Sequence, residues 1–196
     1  GAKFKDTLEQ GLIQIVYLGG EKQGWIWAIP LGNDRLSVGV VMNTAYYRSQ
    51  RAKFKAEGVD DWKLALYLQE IEQAPFTNEV LADAKMRNGL MVNGDYSYFC
   101  HQKWGSNFCL VGDASAFIDP IFSTGVFMAM NSSRIAANAV DVRLREGEQE
   151  AKEAFEEAYT SITGAYNLID SLVRLFYTPG AINLIGSDTL YGRHWG

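Results

Sequence analysis

At 196 residues the chain is long enough for one large or two small domains and for a substantial core. Its 47% hydrophobic and 21% charged residues are an ordinary globular balance, and a net charge of −5 speaks against nucleic acid or an anionic membrane as the main partner. An aromatic share of 13% points to large buried surfaces or an aromatic-lined pocket.

The opening residues, Gly1 to Asp6, read like the middle of a domain, with no signal-peptide pattern. Leu12–Leu18 is β-branched and aromatic and ends at Gly19-Gly20, which predicts a strand. Trp25-Ile26-Trp27-Ala28-Ile29-Pro30 predicts a second, and the Gly32-Asn33-Asp34 turn leads into a third over Arg35–Met42. Short links make this an antiparallel meander. Two helices follow, Ala45–Glu57 ending at Gly58 and Asp60–Ala74 ending before Pro75; a third is expected over Asn78–Met86. Leu90–Val92 and Tyr96–Cys100, set among Asn-Gly turn signals, predict further strands.

Phe108–Val111 predicts the strand that opens the most informative stretch, Leu110–Gly125. It breaks at Gly112-Asp113, passes an Asp119-Pro120 turn, and reaches Ser123-Thr124-Gly125 at the start of a long helix, Val126–Glu146. That helix carries a face of small residues, Ala129, Ser132, Ser133, Ala136, Ala137 and Ala139. A second helix is expected over Glu148–Phe176. Its stripe of Phe155, Tyr159, Ile162, Tyr166, Ile169, Val173 and Phe176 recurs in steps of four and three, as a core-packing face does. Residues 181–196 form a tail without strong pattern. The expected division is thus 1–107, a mostly antiparallel sheet region with two or three helices, then 108–180, then 181–196. The fold class is α+β.

Much chemistry has no support. His101 and His194 lie far apart, and neither HExxH nor CxxC occurs, so no metal site is expected. There is no G-x-S-x-G elbow, no Walker loop and no strand-borne G-x-G-x-x-G. No uncharged apolar run reaches the length of a membrane span, and a cytoplasmic location is expected. Cys100 and Cys109 could face each other across a hairpin or sit as two buried thiols.

What remains is local. On a strand, Trp25, Trp27 and Ile29 point to one side and make an apolar wall, either a sheet face under helices or the lining of an aromatic-ligand cavity. Asp113, beside the permissive Gly112, could accept hydrogen bonds from ligand hydroxyls or simply cap a turn. Ser123, Thr124 and Gly125 offer consecutive amides at a helix start, suited to an anion or to an ordinary N-cap.

Three segments carry a resemblance. Trp25–Pro30 fits the W-x-W-x-I-P motif, Gly112-Asp113 fits the GD motif, and Phe117–Gly125 fits the F-x-x-P-x-x-S-x-G pattern of flavin-dependent halogenases. These belong to the FAD-dependent monooxygenases with a p-hydroxybenzoate-hydroxylase-like fold. The chain resembles their C-terminal portion, over about residues 10–180. The resemblance implies a sheet-based substrate domain, plus C-terminal helices that normally complete an FAD-binding α/β domain. It implies oxidative halogenation of an electron-rich aromatic or carrier-bound substrate by reduced FAD, oxygen and halide, with a separate flavin reductase. The Gly32–Asp34 turn and Ser37–Val41 look more like the phenol, pyrrole or carrier-bound branch than the free-tryptophan branch. By the same resemblance, Gly112, Asp113 and Pro120 would bind cofactor and Ser123, Thr124 and Gly125 halide. Trp25, Trp27, Ile29, Pro30 and Phe117 would line the substrate and its tunnel. The family's FAD fingerprint and catalytic lysine lie in an N-terminal half with no counterpart here. The resemblance therefore implies a fragment or one part of a split gene, inactive by itself, with no catalytic residue of its own. Two alternatives stand beside it: a fragment of a flavin monooxygenase or isoprenoid-type reductase, and a non-catalytic module that binds a hydrophobic ligand.

Overall fold

The structure is a computed structural model and describes residues 11–180. The readings of the first six residues, of the tail and of His194 fall outside that range. The described chain combines antiparallel sheet with helices, an α+β fold, in two compact units, with the chain passing from one to the other between Val92 and Asn93.

The first unit is built on a meander of β1 (Gln14–Leu18), β2 (Gly24–Gly32) and β3 (Arg35–Val41). Asn33 and Asp34 both take positive φ, 51° and 53°, so the two-residue turn follows the twist of the strands it joins. Ile15 stands opposite Trp27, Tyr17 opposite Trp25, and Trp27 opposite Gly39. This register sorts the sheet into two faces. On one, Leu18, Ile26 and Ala74 pack with Val16, Val38 and Val40. On the other stand Trp25, Trp27 and Ile29.

Three helices follow: α1 (Thr44–Ala56), α2 (Trp62–Gln73) and α3 (Pro75–Leu81). Asn43 caps α1 by accepting from the amide of Tyr46 at 2.8 Å, and Asp61 caps α2 through the amide of Leu64. Pro75 opens α3 in the first turn, where its missing N–H costs nothing. The third helix was expected over Asn78–Met86 and begins earlier for this reason. Tyr46, Phe54 and Leu66 form the core between α1 and α2. A fully buried carboxylate, Glu70, ties the unit together. Its Oε1 accepts from the Tyr46 hydroxyl at 2.6 Å, and its Oε2 lies 2.6 Å from Lys22 Nζ, a charge contact rather than a well-angled hydrogen bond. Burial and the neighbouring carboxylate push the Tyr46 hydroxyl well above the usual tyrosine range.

The second unit contains β4 (Tyr98–Phe99), β5 (Ala116–Phe117), α4 (Gly125–Arg145) and α5 (Glu148–Tyr177). The two long helices pack on each other and are joined at Gly147, whose φ of +110° suits glycine alone. Met128, Ser132, Ala136 and Ala139 of α4 are buried, as are Phe155, Tyr159, Ile162, Tyr166 and Val173 of α5. The expected stripe is thus the core face.

Two expected strands do not form. Leu90–Val92 forms no strand; Met91 is almost fully exposed, and no backbone among the described residues pairs with the segment. Phe108–Val111 is also not a strand. Among the described residues its one β-bridge is Cys109 with Trp104, while Leu110 donates to the carbonyl of Lys103 and Phe108 accepts from the amide of Gly105. The expected boundary at 107/108 lies inside the second unit, because β4 pairs with β5 and Cys100 donates to the carbonyl of Ser115. Cys100 and Cys109 are free thiols. No helix among the described residues is long and apolar enough to cross a membrane.

Candidate functional site

Gly112 is the pivot of the second unit's site. It opens a three-residue 3-10 turn with a φ of +54°. It is buried against α4, where an added Cβ would meet the Cβ of Ala129 at 2.8 Å. Its amide donates to Ser132 Oγ at 3.0 Å, and that hydroxyl donates onward to the carbonyl of Met128 at 2.6 Å. Its carbonyl accepts from the Tyr166 hydroxyl at 3.0 Å. Tyr159 donates to the carbonyl of Leu110 at 2.9 Å, and Tyr98 donates to the carbonyl of Asp113. Four side chains from three elements thereby fix the backbone on both sides of Asp113.

The Asp113 side chain itself is exposed and takes no hydrogen bond or ion pair among the described residues. Its charge is felt by Tyr166, whose hydroxyl pKa is raised by burial first and by Asp113 second. A free carboxylate on an immobilised turn suits polyol recognition, because ligand hydroxyls meet an acceptor that needs no reordering. On this observation the turn fits the ribityl chain of a flavin.

Downstream, Asp119 caps a second 3-10 turn, Pro120–Phe122, by accepting from the amide of Ile121 at 2.9 Å. Ser123 then takes a left-handed conformation, φ +53°. Thr124 and Gly125 follow at the start of α4. Neither Ser123 nor Thr124 caps this helix through its side chain, and the amides of Thr124 and Gly125 have no backbone acceptor among the described residues. Both residues are partly accessible. Unpaired N–H groups at the positive end of a 21-residue helix fit a halide. Pro120 is exposed on the turn, and Phe117 is half-buried on β5 with its ring edge-on to Tyr96 at 5.9 Å.

In the first unit, Trp25 is buried and Trp27 half-buried, with ring centroids 5.6 Å apart. The Trp27 ring lies over Gly39, where a Cβ would come within 2.0 Å of it, and its Nε1 donates to Ser37 Oγ at 3.2 Å. Ile29 and Pro30, both half-buried, continue the strand. The unit's own helices cover the opposite face, where Tyr67 of α2 donates to the carbonyl of Val38 and Ala74 joins Ile26. The tryptophan face is therefore not the one packed under these helices.

Sequence reasoning brought Gly112, Asp113 and Ser123–Gly125 into one unit and missed the side chains that hold them. Ser132, Tyr98, Tyr159 and Tyr166 all act through their polar tips. The only signal was the presence of two tyrosines in an otherwise apolar stripe, since buried tyrosine hydroxyls need partners.

A family model described as tryptophan halogenase matches residues 19–181. The flavin-dependent halogenase armH1 of Armillaria mellea is 36% identical over 129 residues, 64% of this chain and 25% of the relative. The tryptophan 2-halogenase of Chondromyces crocatus is 35% identical over 141 residues, 71% of this chain and 25% of the relative. The chain thus spans about a quarter of the length of these curated relatives. Among solved structures, the myxobacterial chondrochloren halogenase CndH, described as a variant of FAD-dependent halogenases, superposes with a TM-score of 0.68 at 27% identity. The match covers 94% of this chain and 44% of that one. CmlS, described as a flavin-dependent halogenase, gives 0.64 at 30% identity, over 81% and 26%.

Proposed function

Because this chain belongs to the tryptophan halogenase family, we propose that it supplies the ribityl-binding and halide-binding portion of an FAD-dependent halogenase. One observation carries the reading: the Asp113 carboxylate has no hydrogen bond or ion pair among the described residues, while the backbone around it is held by Ser132, Tyr98, Tyr159 and Tyr166. Such a turn is preorganised for a ligand rather than for the fold.

Bound reduced FAD would supply the oxygen chemistry that turns halide into an electrophile for an electron-rich substrate. The chain's own residues bind and orient. Asp113 accepts hydrogen bonds from the ribityl hydroxyls, and Gly112, lacking a side chain, lets the cofactor approach. Pro120 bounds the cofactor side of the second turn. The amides of Thr124 and Gly125, with Ser123 shaping their approach, hold the halide at the positive end of α4. In the first unit Trp25, Trp27, Ile29 and Pro30 are the residues assigned to substrate, and in the second unit Phe117 is. A separate flavin reductase is the partner that delivers reduced FAD. We place the substrate among phenols, pyrroles or carrier-bound aromatics, on the Gly32–Asp34 turn and the Ser37–Val41 strand. The match to a tryptophan 2-halogenase keeps free tryptophan in the test panel.

The test is made on the complete polypeptide. It is purified and assayed for retained FAD, then supplied with reductase, oxygen, bromide and the panel. Bromination together with FAD retention that falls in Asp113→Ala is the expected result. Loss of the halogenase reading follows if no flavin is retained and no panel member is brominated.

A further inference from the structure

The second 3-10 turn has a feature that the flavin site does not use. Asp119 is a partly buried carboxylate with two hydrogen-bond donors on it. The amide of Ile121 meets Oδ1 at 2.9 Å, and the hydroxyl of Tyr177, the last residue of α5, meets Oδ2 at 3.1 Å. The hydroxyl of Tyr96, from the segment before β4, is close enough for the two groups to shift each other's pKa. Burial raises the pKa of Asp119, and hydrogen bonding pulls it back by favouring the charged form. A carboxylate taken partly out of water and given this many donors is an anchor for whatever backbone it carries.

What it carries is the approach to the halide amides. The turn it caps closes when the Ser123 amide donates to the carbonyl of Pro120 at 2.9 Å. Ser123 then sits at φ +53°, a left-handed conformation that serine adopts only when its surroundings impose it. The next two amides are those of Thr124 and Gly125. Their directions follow from the torsions at Ser123, and those torsions depend on a turn whose capping group is Asp119.

We propose that Asp119 is a positioning residue: with the hydroxyl of Tyr177 it sets the Ser123–Gly125 backbone at which halide binds. The proposal rests on the halide reading given above. It makes the geometry of the anion site depend on α5, which supplies none of the amides proposed to hold the anion.

The experiment uses the complete, FAD-loaded polypeptide and bromide as the probe. Bromide affinity is read from the change in flavin fluorescence, alongside FAD affinity, melting temperature, and kcat and KM for bromide. Asp119→Ala is expected to weaken bromide binding by about tenfold, roughly one charge-assisted hydrogen bond's effect, while FAD affinity changes less than about twofold. KM for bromide should rise more than kcat falls. Asp119→Asn, which still accepts from the Ile121 amide, should recover part of the loss. Tyr177→Phe, which leaves the carboxylate in place and keeps the test open if Asp119→Ala fails to fold, should weaken bromide by about threefold. Unchanged bromide affinity in these variants overturns the proposal, as does parallel loss of FAD affinity, bromide affinity and melting temperature. If the wild type itself shows no bromide response, the halide reading falls and this inference with it. A wild-type response that the variants leave unmoved removes this inference alone.

Discussion

The hydroxyl of Tyr166, on α5, donates to the carbonyl of Gly112 at 3.0 Å across 54 positions of sequence. That carbonyl also accepts from the Ser115 amide at 2.9 Å, so it keeps a partner when the tyrosine is removed. Tyr166→Phe should therefore cost only about 1 kcal/mol. Gly112→Ala is a different matter. It forces a side chain into a left-handed residue, at about 1–2 kcal/mol, and into contact with Ala129, at about 1–3 kcal/mol. Urea unfolding midpoints should rank wild type, then Tyr166→Phe, then Gly112→Ala, and the reverse order for the two variants would contradict the pivot role of Gly112.

Gly39 is needed because the Trp27 ring occupies the space above it. In Gly39→Ala the ring must leave and the Trp27–Ser37 hydrogen bond must break. A loss of about 1–3 kcal/mol is expected from the overpacking, with a red shift in tryptophan emission as the indole becomes more exposed. An unshifted spectrum at unchanged stability would show that the strand accommodates the methyl without moving Trp27.

Lys22 and Glu70 form a pair with one end fully buried. Lys22→Met leaves the Glu70 carboxylate in the interior with the Tyr46 hydroxyl and no cation, and a loss of about 3 kcal/mol is expected. The double variant Lys22→Met, Glu70→Gln removes the stranded charge and keeps an acceptor for Tyr46. It should be more stable than the single variant. A double-mutant cycle by thermal unfolding gives the answer, and additive effects would rule out the coupling.

Tyr96 gives the unit a signature in alkali. Burial first, and then the charge and hydrogen bond of Asp119, push its hydroxyl from 10.0 up to about 12. A group whose folded pKa is raised contributes stability that is fully present below its unfolded pKa and lost as pH rises through the folded one. Tyr96 should thus contribute fully below pH 10 and lose that contribution as the pH rises through about 12. Burial also raises Tyr46 and Tyr159, so Tyr96→Phe should flatten part of the alkaline decline and not all of it. Melting curves of both proteins between these pH values check the sign.

The parts of the fold that sequence made legible are those with a period. The α5 stripe from Phe155 to Phe176 and the three strands of the meander stand close to where alternation and spacing put them. Short elements without a period were not legible. The turns at Gly112–Ala114 and Pro120–Phe122 are three residues each, too few for any pattern. Phe108–Val111 has strand-like composition, yet a strand also needs a neighbour in continuous register, and among the described residues the segment makes one isolated bridge, Cys109 with Trp104. Asp119 looked like a turn residue because the sequence around it is Asp-Pro. Its wider role depends on Tyr177, 58 positions away, and local chemistry carries no trace of that.

The hydrogen bonds of Ser132 have one more implication. Gly112 is tied through Ser132 Oγ to the carbonyl of Met128, and the amide of Met128 donates to the carbonyl of Thr124 at 2.9 Å. The proposed cofactor carboxylate and the proposed halide amides are thus measured off a single ruler, the first two turns of α4. Their spacing cannot be adjusted by lengthening a loop. Any change in the distance between the two ligands must pass through the pitch of that helix, so loop insertions here should change which molecules reach the site before they change how far apart its two ligands sit.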